Sequence, residues 1–142
     1  MATITTRYPV ATTGGELARR TAGGVLVGAV AALAVSAIVT VLGLDVGVSG
    51  AQSPFGAVPI VTSTVVSGVG AAVAYAALVR VTDRPVRNFS VLSAAVFVVM
   101  LVPVLAIAPS LGLTVVGQGA LVLSHVAVAV PLVAFVAGAV RL

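Results

Sequence analysis

Between Arg87 and Arg141 the chain contains no Lys, Arg, Asp or Glu. So long a neutral, apolar stretch suits hydrocarbon as its solvent, not water. A helix rises about 1.5 Å per residue, so about 20 apolar residues cross a hydrocarbon core of about 30 Å. The stretch is too long for one crossing, and Pro109, Ser110, Gly112, Gly117 and Gly119 break it in two. Two more neutral runs precede it. One runs from Thr21 to Leu44, between Arg20 and Asp45. The other runs from Gly56 to Val79, after a Gly- and Ser-rich loop containing Pro54. The pattern predicts an all-α membrane protein: an up-down bundle of four transmembrane helices at about 18–44, 56–80, 87–108 and 117–140. They form one domain, 16–142, behind a flexible tail, 1–15.

Valine is abundant, which in water favours strands. In lipid every backbone N–H and C=O must pair within its segment or within a closed barrel. These runs lack the apolar/polar alternation of a barrel strand, so helices are expected. Composition agrees, with 61% of residues hydrophobic and 7% charged. A soluble domain carries about 25% charged residues. The net charge of +4 does not indicate nucleic acid. The arginines punctuate apolar runs and do not form a basic face able to reach phosphates. With no cysteine there is no disulfide framework, thiolate metal site or cysteine nucleophile.

Arginine placement sets the expected orientation. Arg7, Arg19 and Arg20 precede the first span, Arg80, Arg84 and Arg87 join the second to the third, and Arg141 follows the fourth. In a four-span chain these places share one side. The other two loops carry only Asp45. The positive-inside bias therefore puts both termini in the cytoplasm of a multi-pass cell-membrane protein. Ala34-Val35-Ser36-Ala37 resembles a signal-peptide cleavage site, but the apolar run continues past it, and an uncleaved helix is expected. Thr13-Gly14-Gly15-Glu16 has the spacing of a capping box. It either starts the first helix before the membrane or is an accidental match in a tail whose glycines oppose helix. Pro85 suits a helix's first turn.

Burial alone does not drive helices together in lipid, so close approach of small residues matters. The first span carries Gly24, Gly28, Ala32, Ser36 and Thr40 at four-residue intervals, and the second carries Thr64, Gly68, Ala72 and Ala76. These ladders predict that spans one and two pack together.

His125 is the only ionisable group deep in a span, and such groups usually face protein or water. The topology puts Ser36, Ser63, Thr64 and Ser67 at similar depth, with Ser124 beside His125 and Gln118 two turns earlier on the same face. Pro103 and Pro131 should kink their helices and free the carbonyls of Val99 and Ala127. A polar intramembrane pocket follows as a candidate site. In one reading neutral His125 bonds a hydroxyl or a freed carbonyl and fixes helix register. In the other it lines a wet cavity, where it binds a ligand, relays protons or ligates a cofactor. One axial histidine would suffice for haem, but nothing else points there, and no cofactor or metal is predicted. There is no GxSxG, no second base for a triad, and no phosphate-binding loop. Asp45 reads as a solvated helix end, or as a gate on a cation pathway.

The Arg19-Arg20 lead-in, the inner turn Arg80-Val81-Thr82-Asp83-Arg84-Pro85, and Ser124-His125 followed by Pro131 resemble a family of small four-helix membrane proteins of haloarchaea and actinobacteria, domain of unknown function family 6069. The resemblance spans nearly the whole chain. It implies the fold and a membrane location, and no activity. The expected role is a non-enzymatic assembly or accessory subunit working through helix contacts, as a homo-oligomer or in a larger membrane complex. The bilayer is its other partner, and nucleic acid is not one. An oligomeric channel or small-solute transporter is the alternative, with a mouth around Asp45, Gln52 and Ser53 leading to His125. An intramembrane enzyme is the least favoured reading, for want of paired catalytic groups.

Overall fold

The computed structural model describes residues 8–140 and, within them, every side chain except that of Gln52. Arg7, Arg141 and the first half of the expected tail lie outside the described residues. Four helices are long and apolar enough to cross a membrane. They are α1 (Gly14–Val41), α2 (Ala57–Val81), α3 (Pro85–Val102) and α4 (Val115–Val136). No strand occurs among the described residues.

The start of α1 follows the capping spacing. The Glu16 N–H donates to Thr13 Oγ1 at 3.1 Å. The returning bond goes one residue further back than usual, since the Thr12 N–H donates to Glu16 Oε2 at 3.1 Å. The helix thus begins at Gly14, ahead of the apolar run, and part of the expected tail is tied down. Its other end closes at Gly43, φ +61°. There the Leu44 N–H reaches Val39 O and the Gly43 N–H reaches Thr40 O, both at 3.1 Å. Paired bonds of this kind need a left-handed residue, which glycine adopts without a Cβ penalty.

Pro85 opens α3 in the first helical turn, where its missing N–H costs nothing. Pro103 does not stop the segment. From it the helix loosens into a π turn, Pro103–Ile107, then tightens into a 3-10 turn, Ala108–Leu111. The span is helical throughout, with the proline absorbed by a change of helix type. Pro131 sits inside an unbroken α4.

α1 lies at the centre, with α4 as its main partner and α2 beside it. α3 packs on α2 and α4 and does not reach α1 among the described residues. The ladder of α1 therefore serves α4 first and the expected neighbour, α2, second, since a Cβ on Gly28 would also lie 3.7 Å from Thr64 Cγ2 of the α2 ladder. A Cβ on Gly24 would lie 3.0 Å from Leu132 Cα, and one on Gly28 would lie 3.2 Å from Val128 Cα, both on α4. Ala32 is buried on the same face. On α2, Gly68 does meet α1, against Val25 and Thr21, and Ala72 is half-buried. Small residues permit close approach without specifying which helix approaches.

Larger side chains gather at the two ends. Tyr75, Phe89, Leu132, Val136 and Ala137 form one cluster. In it the rings of Tyr75 and Phe89 meet edge to face at 5.3 Å and 89°. Val39, Phe55, Leu113 and Ala120 form the other.

Candidate functional site

The predicted pocket around His125 does not converge. His125 is half-buried on α4, and its Nδ1 lies 2.7 Å from Leu121 O, one turn back on the same helix. A carbonyl accepts only, so Nδ1 carries the proton in this bond. The partner is neither a hydroxyl nor one of the carbonyls freed by proline. Helical side chains lean toward the N-terminus, which brings the residue four positions back within reach.

The hydroxyls behave alike. Ser124 donates to Ala120 O at 2.9 Å, Ser63 to Ile60 O at 3.1 Å and Thr64 to the same Ile60 O at 2.7 Å. Each is satisfied inside its own helix. Ser67 and Gln118 are half-buried, with no side-chain hydrogen bond among the described residues. Ser36 alone of the predicted set bonds another segment, donating to Phe55 O of the α1–α2 loop at 2.6 Å.

That loop shapes a cleft of about 490 Å³ at the neutral end, lined by Ser36, Thr40, Ser49, Ser53 and Phe55 among others. The cleft is shallow and open to its surroundings, unlike the enclosed pockets that hold small molecules. Ser36 is the one predicted pocket residue in its wall, and His125 is not there. Asp45 is exposed, and its carboxylate accepts from the Gly47 N–H at 2.8 Å. The loop is pinned to the start of α4. Thr114 donates its N–H to Val46 O at 3.2 Å and its hydroxyl to Asp45 O at 2.7 Å. The same hydroxyl accepts from the Gly117 N–H at 3.0 Å, capping α4.

Sequence reasoning missed the most developed polar cluster, which lies at the opposite end. Arg20 is only 7% exposed. Its Nη1 donates to Pro9 O at 2.9 Å and its Nη2 pairs with Glu16. Ala11 packs on the Tyr75 cluster, so Pro9–Thr13 forms a strap across this end. Gly138 leaves the space that Arg20 fills, since a Cβ there would lie 2.9 Å from Pro9 O and would crowd the guanidinium. The one signal available was the four-residue spacing of Glu16 and Arg20. Glu16 precedes Arg19 and lies outside the apolar run that starts at Thr21. The Thr12 N–H is the largest cause that holds its carboxyl below the ordinary value; burial opposes it, and the Arg20 and Arg19 guanidiniums add to it. Beneath the strap Tyr75 is 0% exposed, its hydroxyl turned toward the Ala11 backbone.

Among the described residues no three His, Asp or Glu side chains come together as metal ligands would. Comparison with curated proteins and with solved structures finds no match. A family match covers residues 12–142, from the strap to the last residue and through all four helices. The chain belongs to that family, the family of unknown function DUF6069.

Proposed function

We propose that this protein is a non-enzymatic assembly or accessory subunit of the cell membrane, acting through lateral helix contacts with its own copies or a larger complex. In this reading the arginine-bearing end lies in the cytoplasm. The observation that carries it is the contrast between α1 and α3. The most apolar window of α1 is 28% buried within the chain, and that of the third span, Pro85–Leu111, only 6%. Val91 and Val98 on α3 and Leu105 in the π turn that continues it, at seven-residue intervals, are each more than half exposed. Seven residues is nearly two helical turns, so they line one stripe.

The test uses the absence of native cysteine. Single variants Val91→Cys and Val98→Cys, oxidised in native membranes, are expected to give disulfide-linked dimers or a linked partner. Ala32→Cys, facing α4, is not. A monomer by detergent-corrected mass, with both α3 cysteines freely labelled and never crosslinked, would sink the reading.

A further inference from the structure

The arginines divide into two kinds. On a helix, consecutive side chains point about 100° apart, so Arg19 and Arg20 cannot face the same way. Arg20 turns inward, where Pro9 and Glu16 occupy its guanidinium. Arg19, Arg80, Arg84 and Arg87 are all exposed. Among the described residues these four make neither a salt bridge nor a side-chain hydrogen bond. Arg80 stands in the last turn of α2, Arg84 precedes the first residue of α3 and Arg87 stands in its first turn. The antiparallel packing brings Arg19 to the same end. The only exposed acid there is Asp83. At the other end the sole charge is Asp45.

We infer that these four arginines form a docking surface for anionic phospholipid headgroups in the adjacent leaflet. They lie where the apolar spans stop, at headgroup depth, and the anion present at that depth is the lipid phosphodiester. A guanidinium offers a planar fork of donors that matches a phosphate's oxygens, as a lysine ammonium does not. Basic clusters next to membrane spans attract anionic lipid by about 1 kcal/mol per charge. With Glu16 already paired to Arg20, only Asp83 is left at this end to offset the four exposed arginines. The inference is independent of what α3 contacts.

The full chain, purified in a neutral maltoside detergent, is titrated with phosphatidylglycerol and with phosphatidylcholine of the same acyl chains. Bound lipid is counted by native mass spectrometry. Phosphatidylglycerol is expected to bind more tightly, with a preference that fades from ~0.01 M to ~1 M salt as the screening length falls from about 30 Å to about 3 Å. Each Arg→Gln change at 19, 80, 84 or 87 should weaken phosphatidylglycerol about fivefold, equivalent to ~1 kcal/mol, and leave phosphatidylcholine unchanged. Equal binding of the two lipids overturns the inference. So does a preference that survives in Arg84→Gln/Arg87→Gln. Displacement of the lipid by an equal concentration of inorganic phosphate also overturns it, since the surface would then read a free anion and not a leaflet. The salt series uses the unaltered chain, so the test stands even if a variant does not fold.

Discussion

The two ends of the bundle are closed by different chemistry. At the charged end a side chain does the holding: Arg20 reaches 11 positions back along the chain to Pro9 O and pairs with Glu16, drawing the strap over Tyr75. At the neutral end the backbone does it. Val46 O and Asp45 O accept from Thr114, Phe55 O accepts from Ser36, and no formal charge takes part in these three bonds. The first arrangement should respond to pH and to loss of one side chain. The second should be indifferent to pH and sensitive to backbone shape.

The largest expected effect tests the neutral end. Gly47 has φ +82°, and a Cβ there would overlap Gly112 O and lie 3.0 Å from Thr114 N. Gly47→Val adds left-handed strain on a β-branched residue to a clash with main chain that has little room to move. A loss of about 3 kcal/mol is expected, read as a lower thermal midpoint in detergent with faster proteolysis in the α1–α2 loop. A variant as stable as the parent would mean that the two loops touch without holding each other.

Arg20→Gln is the matching break at the charged end. It removes a hydrogen bond from a cation to a buried-side carbonyl and the pairing with Glu16, at a cost of about 2 kcal/mol. Glu16 is partly exposed and can rehydrate, so the larger penalty for stranding a buried ion does not apply. The informative readout is local. A cysteine at Ala11 should label faster in Arg20→Gln than in the parent, while labelling of one at Ser49 stays unchanged. Equal labelling at Ala11 would show that the strap is held by its apolar contacts instead.

The ends also differ in how much of them can be read from the sequence. The arginine pattern, the four neutral runs, the capping spacing at Thr13 and Glu16, and Pro85 in a first turn are local signals, and each corresponds to a feature of the fold. The clamp at the neutral end leaves almost no such signal. Its acceptors are carbonyls, which every residue owns, and Thr114 looks like any helix cap until its second bond is seen. The same difficulty hid the main partner of the α1 ladder, α4. Four-residue spacing announces a smooth face, but only the fold shows that Leu132 and Val128 fill it. His125 misled for a third reason. A lone intramembrane imidazole invites a search for partners on other helices, whereas its own Leu121 carbonyl lies nearest to hand.

The smallest expected effect, and the cleanest separation of the ends, is the pH response. The Glu16 carboxyl is held below its ordinary value of 4.5, chiefly by the Thr12 N–H and further by the Arg20 and Arg19 charges. A carboxyl whose value is lowered on folding contributes its full stabilisation above the unfolded value. That contribution is lost as pH falls through the lower, folded value. The parent should therefore keep its strap at neutral pH and begin to loosen it only below about 4.5. The readout is the difference in thermal midpoint between the parent and Glu16→Gln, which cancels whatever pH dependence the two chains share. That difference should be constant from neutral pH down to the ordinary carboxylate value and shrink below it. Gly47→Val, altered at the other end, should keep the parent's pH response with a lower midpoint. If the Glu16→Gln difference were instead flat across the whole acid range, the carboxylate would contribute nothing as an anion. The charged end would then be held without help from its carboxylate, as the neutral end is held without an ion.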